Sequence, residues 1–190
     1  MLPPDRTSII SYTCPGGIVS YFAVAAARGP RDWAVAELDL GRPADLADVE
    51  DVADLLRDVD ADASVSLLFV EVDDEYLAVL RLDEGEDLRV FGSDAAFVDE
   101  SPLGAVLLGD QDRHDTIELP DEDDDYEAPE QPPGNADDIE PVGDSDLLAD
   151  LGVSGQKLVE LCAGEGMMPS DVTTEICAVL GCADAVEELR

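Results

Sequence analysis

The stretch SVSLLFVEVDDEYLAVLRLDEGEDLRVF, residues 64–91, decides the fold. Ser64 to Val72 reads as a strand. Its centre, Leu67-Leu68-Phe69-Val70, is apolar at consecutive positions, so both of its faces should be buried. Asp73-Asp74 turns the chain into a second strand, Glu75 to Leu82. Asp83 to Glu86 turns it into a third, Asp87 to Phe91. Connections this short leave no room for a crossover, so the three strands form an antiparallel meander.

Working upstream, Tyr21, Ala23 and Ala25 interleave with Phe22, Val24 and Ala26, which makes Ile18 to Ala27 a central strand. Gly29-Pro30-Arg31-Asp32 is a turn, and Trp33 to Leu38 pairs back. Pro43 to Asp60 reads as an amphipathic helix. Leu46, Val49, Val52, Ala53, Leu56 and Val59 recur at three- and four-residue steps, opposite Asp45, Asp48, Glu50, Asp51, Asp54 and Asp58. Residues 94–108 end the unit as one or two short helices interrupted at Pro102. The order ββαβββα predicts a two-layer α+β domain over residues 18–109, with a five-stranded, mainly antiparallel sheet. Longin, roadblock and profilin-like layouts are similar in element order, a likeness that carries no activity.

Residues 110–144 differ in texture. Asp and Glu number 23 in residues 1–109, 17 in 110–150 and 7 in 151–190, so acid is about twice as dense in the middle. Prolines at 120, 129, 132, 133 and 141 add to the charge repulsion, and both oppose compaction. An acidic, Pro-rich linker is expected there. Residues 1–17, with Pro3, Pro4 and the run Cys14 to Gly17, are expected to be an unfolded extension. Residues 145–190 read as a small helical unit. Its helices are Asp146–Leu151, Gly155–Cys162, Asp171–Leu180 and Ala183–Leu189, with Ser154 and Ser170 as caps and Gly152, Gly164 and Gly181 as stops. Forty-six residues make a thin core, so this unit should dock on the first domain or on a partner.

Charge excludes whole classes of function. The 190 residues carry 47 acids against 10 Lys and Arg, a formal charge of −37. Nucleic-acid binding draws its affinity from cations that displace counterions, and anionic membranes select the same chemistry. Neither partner fits this chain. No run reaches the ~18 apolar residues of a membrane span. Only Arg6 precedes the apolar stretch that ends at Ala27, and Cys14-Pro15-Gly16-Gly17 breaks it, so no export signal is expected. Cys14, Cys162, Cys177 and Cys182 are then reduced thiols of a cytoplasmic protein.

Several constellations imitate sites. Asp58, Asp60 and Asp62 open like a calcium loop, but Ala63 and Phe69 stand where the turn glycine and the bidentate glutamate belong. The C-terminal cysteines supply three soft ligands without paired spacing, and Cys162 and Cys177 fall on an apolar stripe, so core thiols are expected instead of zinc. The single histidine, His114, lies in the acidic segment, which leaves no Ser–His or Cys–His pair for catalysis. Leu148 to Ser154 is similar to the turn of a helix-turn-helix, yet the following helix offers only Gln156 and Lys157 beside Glu160 to a base or phosphate. No catalytic residue, cofactor or metal site is expected.

The chain as a whole resembles a bacterial family of tRNA adenosine deaminase-associated proteins. The likeness rests on Ser20-Tyr21-Phe22-Ala23-Val24 with Trp33 and Glu37, on Asp73-Asp74-Glu75-Tyr76, and on Leu88 to Asp94. It continues through the acidic segment to Asp146-Leu147-Leu148-Ala149-Asp150-Leu151-Gly152 and the helical end, covering roughly residues 19–190. The family name implies a deaminase as partner and brings no catalytic residues. The deaminase itself pairs H-x-E with P-C-x-x-C around zinc. Here His114 precedes Asp115-Thr116, and no C-x-x-C occurs. The expectation is a non-enzymatic accessory protein. Its Asp121, Glu122, Asp123, Asp124, Asp125, Tyr126 and Glu127 would meet a basic protein surface, that of a tRNA adenosine deaminase. A ligand-sensing or dimerising domain of profilin-like layout is the alternative.

Overall fold

The computed structural model describes residues 10–14, 17–30, 32–109, 140–164 and 166–190. One antiparallel sheet holds seven strands: β1 (Ile10–Cys14), β2 (Gly17–Arg28), β3 (Trp33–Glu37), β4 (Val65–Val72), β5 (Tyr76–Asp83), β6 (Asp87–Gly92) and β7 (Val142–Gly143). The order is β1-β2-β4-β5-β6-β7, and β3 pairs with the far half of β2, Val24 to Arg28. Six helices accompany it: α1 (Val49–Arg57), α2 (Ala96–Glu100), α3 (Pro102–Leu108), α4 (Gly155–Cys162), α5 (Pro169–Leu180) and α6 (Ala183–Glu187). Shorter 3₁₀ segments cover Pro43–Asp45 and Ser145–Leu151.

The five expected strands are β2 to β6, and the sheet has two more. β1 lies in the stretch read as unfolded. It pairs antiparallel with β2, with Ile10 opposite Tyr21 and Cys14 opposite Gly17. β7 lies inside the acidic segment and pairs with β6. Only Gly fits at residue 143: φ is +83°, and a Cβ there would stand 2.2 Å from the Val90 carbonyl oxygen. Both meander hairpins turn through left-handed residues, Asp73 and Asp74 at φ 50° and 60°, then Glu84 and Gly85 at 50° and 75°. Turns of this hand match the twist of the flanking strands.

Residues 18–109 form the expected two layers, and the C-terminal helices dock on the other face of the sheet as a third. Tyr21, Ala23 and Ala25 of β2, Leu68 and Val70 of β4, and Leu80 and Leu82 of β5 face Val52, Ala53, Leu56, Phe97, Leu103 and Leu107 of α1 to α3. The alternate residues Phe22, Val24, Leu67, Phe69, Leu77, Val79 and Phe91 pack against Leu147, Leu148, Leu158, Val172, Ile176 and Val186 of the C-terminal helices. The period-two alternation of strand side chains therefore feeds two separate cores. Helix starts follow local chemistry. Asp48 accepts a hydrogen bond from the Glu50 amide at 3.0 Å and starts α1 later than the expected Pro43. Ser154 caps α4 as expected, accepting from the Lys157 amide at 3.3 Å. Ser170 does not cap α5. It lies inside the helix, and Asp171 reaches back to accept from the Met168 amide at 3.1 Å.

Two arginines fasten the C-terminal layer to the sheet. Arg81 of β5 projects into it and is only 5% exposed. It donates to the Leu147 carbonyl at 2.6 Å, to Asp83 at 2.8 and 2.9 Å and, through both terminal nitrogens, to Asp150. Arg89 of β6 adds a 2.8 Å bond to Asp83. At the other end, Arg190 pairs with Glu71 of β4, donates to the Ser170 carbonyl at 3.1 Å and lies 5.6 Å from the Phe22 ring centroid. Burial pushes Asp83 up, but the bonds from Arg81 and Arg89 outweigh it and hold the carboxyl below its ordinary value. The bond from Arg81 holds Asp150 down as well. Burial dominates at Glu71 and raises it despite Thr173 and Arg190.

Removing Arg81 strands a buried carbonyl and two carboxylates. Arg81→Ala should therefore cost about 2–4 kcal/mol in urea unfolding, discounted because Asp150 is largely exposed. Arg89→Ala, at a side chain about a third exposed, should cost about 0–1 kcal/mol. The lowered Asp83 contributes stability that is present above its unfolded value near 3.8 and lost as pH falls through the folded value. Asp83→Asn should melt below wild type at pH ~7, and the two melting curves should converge in acid below the ordinary carboxylate range.

Candidate functional site

The sites suggested by sequence disperse in three dimensions. Asp121 to Glu127 and His114 lie outside the described residues. Asp58, Asp60 and Asp62 occupy the connection from α1 to β4, where Asp60 is spent on its own backbone, accepting from the Asp62 amide at 3.0 Å. Among the described residues, no three His, Cys, Asp or Glu side chains converge as metal ligands do. The helix-turn-helix-like stretch packs inward: Leu147, Leu148, Val153 and Leu158 are fully buried on the sheet. Burial pushes the Cys162 thiol up to about 12, which keeps it protonated.

A cleft of about 460 Å³ opens where the β2–β3 hairpin meets the α5–α6 turn. Arg28, Gly29, Pro30, Asp32 and Trp33 form one wall, and Leu180, Gly181, Cys182, Asp184 and Ala185 form the other. The Arg28 guanidinium carbon lies 5.9 Å from the Trp33 ring centroid, a cation–π contact. The hairpin turn was legible in the sequence. Its juxtaposition with the last helices was not, because it depends on which face of the sheet those helices cover.

The electrostatics have a simple organisation. Arg57, Arg81, Arg89 and Arg190 are each paired with carboxylates of the chain itself. Arg28 is engaged with Trp33. Among the described residues, Arg42 and Lys157 are the cations with neither kind of contact. Most of the positive charge among the described residues thus works within the fold, in a chain with 47 acids. Sequence reasoning missed the Arg81 and Arg190 anchors. Arg81 was detectable in principle, as a lone cation in the apolar run Leu77 to Leu82, because a buried charge must find partners. Among the described residues, no helix is long and apolar enough to cross a membrane.

No curated protein and no solved structure matches the chain, so the longin, roadblock and profilin-like layouts remain an analogy of element order. A protein family does match, over residues 21–183, from the first buried residue of β2 to the start of α6. That span takes in strands β2 to β7 and all of the cleft lining except Asp184 and Ala185, and the chain belongs to the family of Rv3753c-like tRNA adenosine deaminase-associated proteins.

Proposed function

We propose that this protein is a non-enzymatic accessory factor that binds a tRNA adenosine deaminase directly, through its acidic surface, in the cytoplasm. The family description supports the choice of partner. The observation that carries the mode of binding is charge: −37 overall, with most described cations already held by internal partners. An enzyme that binds tRNA must present a basic surface to phosphates. An acidic polypeptide is complementary to that same surface and competes with tRNA for it. The segment Asp121 to Glu127 has the highest local density of acid and is the proposed contact. Its attachment points support this placement, because the described chain leaves at the end of α3 and returns at β7, an edge of the sheet.

The ligand-sensing alternative called for a deep apolar pocket in the sheet. Both sheet faces are instead filled by helices, and the cleft at the hairpin is lined by Arg28, Asp32 and Asp184 as well as Trp33. Among the described residues the sheet thus offers neither a deep apolar pocket nor a bare face, and the protein-contact reading rests on charge.

The test is titration calorimetry of the full chain against its cognate deaminase at several salt concentrations. Binding should weaken as salt rises. Replacing Asp121, Glu122, Asp123, Asp124 and Asp125 by Asn or Gln should weaken it about tenfold or more and flatten the salt dependence. tRNA should displace the chain. Binding that does not change between low and high salt would refute the electrostatic mode, and tight capture of bare tRNA by the chain alone would refute the choice of partner class.

A further inference from the structure

We propose that Cys177 and Cys182 form a dithiol that a peroxide oxidises to a disulfide, making the cleft wall beside Trp33 a redox-modified site. The geometry comes from the way α5 ends. Gly181 adopts φ +83°, and the amides of Gly181 and Cys182 both donate to the Cys177 carbonyl at 2.9 Å. A helix closed in this manner folds the residue after the glycine back onto the last turn, where an apolar contact usually forms. Here the residue folded back is Cys182 and the one it returns to is Cys177, so two buried thiols are brought to the same turn. A spacing of five residues would put them on different sides of a continuing helix, so the pair exists only because the helix stops.

The two sulfurs differ in access and in acidity. Cys182 lines the cleft, whereas Cys177 is fully buried beneath it. The neighbouring Cys177 thiol holds the Cys182 thiol below its ordinary value. The Cys182 sulfur beside it, with burial, raises Cys177. Cys182 is therefore the attacking sulfur and Cys177 the resolving one. In the first step the Cys182 sulfur attacks a peroxide oxygen, the O–O bond breaks, one water leaves and a sulfenic acid forms. In the second, the Cys177 sulfur attacks the sulfenic sulfur. The S–O bond breaks, the S–S bond forms, and the Cys177 proton departs with the hydroxide as a second water. Two thiols are oxidised to one disulfide and hydrogen peroxide is reduced to two waters.

The experiment treats the full chain with hydrogen peroxide and follows intact mass, peptide mapping and emission of the single tryptophan, Trp33, which faces the turn across the cleft. The expected result is loss of two hydrogen atoms, a crosslink between the Cys177 and Cys182 peptides, and a shift in emission, all reversed by dithiothreitol. Cys162→Ser should behave as wild type. Cys177→Ala should stop at a sulfenic acid on Cys182, trapped by dimedone. Cys182→Ser should lose both the crosslink and the emission shift. Wild-type protein that keeps both hydrogens, or that crosslinks through Cys14 or Cys162, would overturn the proposal. So would a Cys182→Ser chain that is oxidised as wild type is.

Discussion

A sheet that is apolar on both faces cannot remain uncovered, and the rest of the molecule follows from that constraint. β2, β4 and β5 place buried side chains on each side, so helices must be delivered to both. Burial at roughly 25 cal/mol per Å² of apolar area makes each uncovered face expensive and prone to association. The chain supplies α1 to α3 for one face. It then continues through the acidic segment, forms β7 at the edge and lays α4 to α6 on the other.

The same constraint explains which features were legible in the sequence. Alternation across Tyr21 to Ala27 and the unbroken run Leu67 to Val70 declared both faces of their strands buried. The two layers inferred from residues 18–109 conflicted with that pattern, since one helical layer covers one face. The third layer was therefore implicit in strands whose meaning was read only locally. β1 and β7 were hidden for a different reason. Gly and Pro signal a turn without saying whether the flanking residues pair, and a two-residue strand such as Val142–Gly143 has no periodicity to detect. The expected cap at Ser170 failed because the helix begins earlier, at Pro169, with Asp171 accepting from the Met168 amide at its start. The cleft was illegible altogether, being made by elements about 150 residues apart.

Scarcity of positive charge makes the placement of Arg81 and Arg190 informative. In a chain this acidic, a cation at the surface would be surrounded by carboxylates at little gain, because exposed pairs contribute about 0–1 kcal/mol. Arg81 and Arg190 sit instead where the C-terminal layer meets the sheet, in surroundings that screen less. Those two side chains are withdrawn from the exterior of a chain whose formal charge is −37.

The anchors and the apolar face contribute differently to the docking of the C-terminal layer. A buried ion pair gains little net energy over an apolar replacement of similar volume, since desolvation offsets attraction, yet it is costly to break. Arg81 therefore adds less to the strength of docking than Leu147, Leu148, Leu158 and Ile176, which are fully buried. Its contribution is positional. An apolar stripe can slide along an apolar sheet with modest loss, whereas the forked bonds from one guanidinium to the Leu147 carbonyl, Asp83 and Asp150 are satisfied at a single position. Arg190 fixes the far end against Glu71 in the same way. Two fixed ends set where α5 and α6 lie on the sheet, and so set the distance from the Cys182 turn to Trp33. The cleft is thus a product of charge placement, although its walls are largely backbone turns.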